Sequence, residues 1–231
     1  MSLVIALKDK DRIILAADKQ GTLGDSCSHT ATKVWDIQGQ PEAVMGGVGF
    51  AIGNQIIQYS PNWIDKNDIC DPNFQMTKSY VAQVIGPTIR QILIANGIEV
   101  TPSDEDGVRF PAMPNSFIFA YKDKAWLIGR DLTVEEIGEV EDFFVMGSGS
   151  DVAYGSLYST ADKGPFERIA IALEAASTRS ITVDDYCEVV TTKQMENDEI
   201  DYLKAMYPDG NIEEEIEKAK KAFEEGEQNN D

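Results

Sequence analysis

The feature that most limits how this chain can fold is a hairpin at its start that is apolar on both faces. Leu3 to Leu7 (LVIAL) is an unbroken run of apolar residues, Lys8-Asp9-Lys10-Asp11 is a polar turn, and Arg12 to Ala17 (RIILAA) is apolar again. A strand with one wet face alternates polar and apolar residues. These strands do not, so their sheet must be covered on both sides. The design returns later: FIFAYKDKAWLIGRD (Phe117 to Asp131) matches VIALKDKDRIILAAD (Val4 to Asp18) in length, central charged turn and closing aspartate.

Helical spacing fills the gaps between the hairpins. Phe50 to Tyr59 reads as a first helix, stopped by Pro61. From Thr77 to Asn96, Val81, Val84, Ile85, Ile89, Ile92 and Leu93 recur three and four residues apart, with Gly97 as the stop and Gly86-Pro87 as a kink or split. Val100 to Pro114 has the proline, glycine and acid content of a long loop. A short strand, Phe143 to Met146, precedes Gly147-Ser148-Gly149-Ser150 and a helix through Tyr158. Pro165 opens another helix, whose face is Phe166, Ile169, Ala170, Leu173 and Ala176, and Cys187 to Thr191 is the last strand. Asn211 can cap a final helix lined by Ile212, Ile216, Ala219 and Phe223, and the closing EGEQNND reads as disordered. Strands, helices, strands, helices, strand, helix is the order of an α+β fold of stacked antiparallel sheets covered by helices. The chain is expected to divide into a body over residues 2–192 and an acidic helical extension over 193–231 with a disordered end.

Charge narrows the function. The 231 residues carry a net charge of −20, and 13 acids against four lysines after position 195 supply −9 of it. Such a surface repels nucleic acid and anionic membranes. Three scattered cysteines (Cys27, Cys70, Cys187) fit a reducing cytoplasm, and neither a secretory leader nor a membrane-length apolar run is expected. With one histidine, His29, any Ser-His-Asp, Cys-His or His-rich zinc site would have to pass through it, so neither a metal nor a cofactor is expected.

Chemistry without histidine is available at Ser2. Removal of Met1 leaves a serine whose hydroxyl and α-amine share one residue, and an α-amine with an ordinary pKa of about 7.7–8.0 can act as a base near neutrality. Asp18 ends the strand that pairs with the one carrying Ser2, so the hairpin returns a carboxylate to the level of the chain's start. Lys33 lies in HTATKVWDI (His29 to Ile37), and on an inner face it needs a carboxylate, for which Asp18 is the candidate. A buried, paired ammonium near Ser2 lowers the proton affinity of its amine and hydroxyl.

Ser2, Asp18, Lys33, Gly46-Gly47 and Gly147-Ser148-Gly149 stand in an order and spacing that resemble proteasome β subunits and the bacterial HslV peptidase, members of the N-terminal-nucleophile (Ntn) hydrolases. AADKQGTLGD (Ala16 to Asp25) and the direct Met-nucleophile start are similar to HslV in particular. The resemblance is strong over residues 2–55 and 143–175. It implies a four-layer αββα sandwich and a peptidase with Ser2 as nucleophile, Lys33 tuning the electrostatics, Asp18 holding Lys33, the Gly47 N–H stabilising the oxyanion, Ser148 supporting the terminal amine and Met45 lining an apolar substrate pocket. It also implies a homo-oligomeric ring acting on unfolded protein or peptide, with an ATP-driven unfoldase as partner. The chain departs from the pattern in carrying serine for threonine, and Thr178 to Asp184 where proteasome subunits have Asp followed by Ser-Gly-Gly. A catalytically silent ring scaffold on the same fold and an amidohydrolase for small amides are the competing readings.

Overall fold

A computed structural model describes residues 2–23, 26–29, 31–40, 42–61, 63–64, 74–98, 101–105, 108–138 and 141–207. The first hairpin is β1 (Leu3–Asp9) with β2 (Arg12–Asp18), paired antiparallel so that Val4 faces Ala17 and Asp9 faces Arg12. Two short strands, β3 (Gly21–Leu23) and β4 (Ser26–Ser28), form a side hairpin. Next come β5 (Val34–Asp36), β6 (Ala43–Val48), α1 (Ala51–Gln58), α2 (Lys78–Tyr80), a π-helical turn (Val81–Ile85) and α3 (Gly86–Ala95). The second half carries β7 (Thr101–Glu105), β8 (Val108–Ala112), β9 (Ser116–Tyr121), β10 (Lys124–Ile128), β11 (Val134–Ile137), β12 (Phe143–Gly147), α4 (Ser150–Ser159), α5 (Pro165–Arg179), β13 (Cys187–Thr191) and α6 (Asn197–Met206).

Two antiparallel sheets result, ordered β12-β1-β2-β13 and β11-β10-β9-β6-β5. Both apolar hairpins lie inside sheets, and their residues divide by parity. Leu3, Ile5 and Leu7 join an apolar cluster with Ala153, Leu157, Ile169, Leu173 and Leu203 from α4, α5 and α6. Val4 and Ala6 point the other way, against Val44, Ile118, Ala120 and Ala125 of the second sheet. On that sheet Phe117 and Phe119 pack with Ile57, Ile85, Ile89 and Leu93 of α1, the π turn and α3. Each buried large aliphatic or aromatic side chain contributes roughly 1.5–3 kcal/mol, so strands covered on both faces anchor the fold twice.

Pro87 explains the π turn. A proline in a helix lacks its N–H and crowds the carbonyl four residues back. The turn just before it widens, with the Gly86 N–H donating to the Val81 carbonyl five residues earlier, and α3 starts with Pro87 in its first turn.

One expectation needs correction. Val100 to Pro114 is not one long loop, because β7 and β8 pair antiparallel from Thr101↔Ala112 to Glu105↔Val108. Much of the proline and acid content that reads as loop falls within the two strands themselves. α6 follows a capping box formed by Glu196 and Glu199, and it sends Ile200 and Leu203 into the body of the fold. Arg12 donates through both terminal nitrogens to Glu199, at 2.8 Å for Nη1–Oε2, and through Nη2 to Asp9 at 2.8 Å. The expected helix at 211–223 lies outside the described residues.

No helix among the described residues is long and apolar enough to cross a membrane.

Candidate active site

The β1–β2 register places Asp18 beside the start of β1, where its Oδ1 accepts the Leu3 N–H at 2.7 Å. The same oxygen accepts the Lys33 ammonium at 2.6 Å, and Oδ2 takes the Gln20 N–H at 3.2 Å. One carboxylate thus ties the Ser2–Leu3 peptide to the lysine that enters β5. The pair is sealed from water, the Lys33 and Asp18 side chains being 3% and 0% exposed. Burial lowers the Lys33 ammonium from its ordinary value, against the opposing pull of Asp18, Asp184 and Glu188. Burial likewise raises the Asp18 carboxyl, against the favourable influence of Lys33 and the Leu3 N–H.

The other wall of the site is the turn after β12. Leu3 pairs with Gly147, and the Ser148 N–H donates to the Ser2 carbonyl at 2.8 Å. Gly147 adopts φ 115° and stands so near Ser2 that any side chain would collide with its carbonyl. Ser148 Oγ lies 2.7 Å from Thr182 Oγ1, which lies 2.9 Å from Ser180 Oγ, making a chain of three hydroxyls. Ser2 itself is buried. Ser2, Asp18, Lys33 and Ser148 are therefore brought together at one end of the first sheet. Ser148 meets Ser2 at its carbonyl, because antiparallel pairing of β1 with β12 turns that carbonyl toward the Ser148 amide.

Gly47 and Met45 are placed differently from expectation. The Gly47 N–H donates to the Lys33 carbonyl at 2.8 Å, so in this structure it is engaged by the β5–β6 edge and does not face an open oxyanion position. Its carbonyl accepts Asn54 Nδ2 at 2.8 Å, and Asn54 Oδ1 in turn accepts Asn115 Nδ2 at 2.9 Å. Asn115 also donates to the Phe50 carbonyl, which pins the turn between β6 and α1. Met45 is buried on the helix-covered face of β6 with Trp35, Ile57 and Phe119. Strand alternation gives Met45 that inner face, two residues from a glycine on the same side.

Residues that sequence reasoning passed over complete the site. Glu188 on β13, opposite Ala17, accepts the Lys33 backbone N–H at 3.1 Å. Asp184 accepts the Lys19 N–H at 2.9 Å and contacts His29 Nδ1 at 2.8 Å, giving the sole histidine a partner. The available signal was a lone acid in an apolar strand (CEVVT), which on a doubly covered sheet has to find a partner.

Structural comparison gives the site a context. No family model matches the chain, and no curated protein matches it in sequence. Among solved structures, the Thiobacillus denitrificans protein BPH superposes with a TM-score of 0.58 at 16% identity, over 82% of this chain and 96% of that one. BPH in complex with epoxomicin gives a TM-score of 0.59 at 16% identity, over 84% and 100%. Eukaryotic HslV from Trypanosoma brucei gives 0.57 at 16% identity, over 82% and 98%. At such identity, and with nearly the whole of each of those chains matched, the likeness is one of architecture: the chain has the HslV-type, proteasome-like fold.

Proposed function

We propose that the protein is a peptidase of the proteasome/HslV type that uses Ser2, freed by removal of Met1, as its nucleophile. The observation that carries this reading is the shared oxygen of Asp18, which holds the Leu3 N–H and the Lys33 ammonium together beside Ser2. The likeness to HslV and BPH supports it.

In the proposed reaction Ser2 Oγ attacks the scissile carbonyl carbon and its proton passes to the α-amine, directly or through a water. The Lys33 ammonium lowers the cost of the alkoxide. The tetrahedral intermediate collapses as the proton moves on to the leaving amine, leaving an ester on Ser2 that water then hydrolyses. Gly47 remains the candidate oxyanion donor, and to serve it must exchange the Lys33 carbonyl for the oxyanion. Ser148, Thr182 and Ser180 hold the Ser2 main chain in place.

The helix, sheet, sheet, helix sequence of apolar clusters supports a four-layer αββα sandwich. The same resemblance supports a homo-oligomeric ring fed with unfolded chains by an ATP-driven unfoldase, and the three scattered cysteines support a cytoplasmic one. A catalytically silent scaffold is the competing reading, and the engagement of Gly47 by Lys33 is the observation in its favour.

Intact mass and inhibitor labelling decide between them. The peptidase reading expects loss of Met1 and covalent modification by an epoxyketone such as epoxomicin, abolished in Ser2→Ala. A retained Met1 leaves no free amine on Ser2 and ends the catalytic reading.

A further inference from the structure

Lys33 has three polar groups, and each is held by a different strand. Its ammonium goes to Asp18 of β2, its carbonyl accepts the Gly47 N–H of β6, and its N–H donates to the Glu188 carboxylate of β13. The first and third of these strands belong to one sheet and the second to the other. Lys33 is therefore the point where the sheets are tied together beside Ser2, and Glu188 is the side chain that fixes its main chain.

Glu188 is 4% exposed and sits opposite Ala17, a residue of the apolar space between the sheets. A neutral hydrogen-bond acceptor would satisfy the Lys33 N–H at lower desolvation cost than a carboxylate. A carboxylate makes a stronger, charge-assisted bond and adds a negative charge that favours the protonated form of Lys33.

We propose that Glu188 is a positioning residue for Lys33, setting both the place of its main chain and the retention of its proton during attack by Ser2. The proposal rests on the peptidase reading above only where it concerns attack; the link between Glu188 and Lys33 stands without it. The charged groups around the ammonium are Asp18 from β2, Glu188 from β13, and Asp184 from the segment before β13, itself in contact with His29 and the Lys19 N–H.

Two variants separate position from charge. Glu188→Gln keeps an acceptor for the Lys33 N–H and removes the charge; Glu188→Ala removes both. The full chain and each variant are labelled with an epoxyketone across a neutral-to-alkaline pH series. Thermal melting is followed in parallel, and Lys33 is titrated by NMR on lysine-labelled protein, with Lys33→Met identifying its signal. Glu188→Gln should move the Lys33 titration, and with it the alkaline limb of the labelling rate, to lower pH. Glu188→Ala should slow labelling of the folded protein on the order of tenfold or more. The proposal is overturned if the Lys33 titration in Glu188→Gln overlays wild type, or if Glu188→Ala lowers the melting temperature while the folded protein labels at the wild-type rate. A wild-type protein that takes no label refutes the peptidase reading, and the Lys33 titration still decides the Glu188 relationship.

Discussion

Gly147 and Ser2 are in such close contact that a Cβ built on Gly147 would lie 1.8 Å from the Ser2 carbonyl oxygen. The backbone there is also left-handed, at φ 115°. Gly147→Ala must push β12 away from β1 and adopt a strained conformation, at a cost of roughly 2–5 kcal/mol. Urea unfolding should show that loss, and any epoxyketone labelling of Ser2 should fall with it. A variant of wild-type stability would mean that the β1–β12 contact is looser than described.

The Asp18–Lys33 pair should behave as a coupled unit. Lys33→Met leaves a buried carboxylate without its cation, and Asp18→Asn leaves a buried cation without its anion. Each single change should cost roughly 3–5 kcal/mol. The double variant keeps an acceptor for the Leu3 N–H and removes both charges of the pair, so it should cost clearly less than the sum. Additive costs in a double-mutant cycle would show that the two side chains do not interact.

Acid should loosen α6. The guanidinium of Arg12, donating to Glu199, holds that carboxyl below its ordinary value. A carboxyl depressed in the folded protein stabilises it fully above the unfolded value, about 4.3, and that contribution fades as pH falls through the lower native value. Glu199→Gln should therefore destabilise the protein by about 1 kcal/mol at neutral pH and by progressively less below pH of about 4. Amide exchange in residues 197–206 at the two pH values measures it, and equal effects at both would contradict the assignment.

Asn115 should prove costly to replace. Its amide donates to both the Phe50 carbonyl and Asn54 Oδ1, and Asn54 holds the Gly47 carbonyl. Asn115→Ala removes both bonds from a fully buried position, which should cost about 2 kcal/mol or more. The turn from Gly47 to Phe50 should then exchange its amides faster. Exchange rates unchanged in that turn would show that the asparagine pair does not hold it.

The sequence was most legible where one physical demand had one solution. Doubly apolar hairpins need sheets covered on both faces, and β1, β2, β9 and β10 are so covered. A lysine entering a buried strand needs an anion, and Asp18, returned by a hairpin of known length, was the one within reach. Legibility failed where direction mattered. The identity of Gly47 says that a side chain is excluded there, and the reason is Asn54, whose oxygen would be 2.4 Å from a Cβ; it does not say where the N–H points. Met45 is apolar enough for a pocket or a core, and only the parity of β6 against the helix layer assigns it to the core. Glu188 and Asp184 reach Lys33 and His29 across 155 residues of chain, and no local pattern encodes such a meeting.

The central place of β1 has a consequence for synthesis. Its neighbours on the two sides are β2, which follows at once, and β12, which begins at Phe143. At translation rates of about 5–20 residues per second, the apolar edge of the earliest strand waits on the order of ten seconds or more before its second partner exists. In that interval the β1–β2 hairpin is a sticky, half-paired nascent segment. Cells making this protein have to shelter its first twenty residues or so until the later strands emerge, so its yield should depend more on chaperone supply than its final stability would indicate.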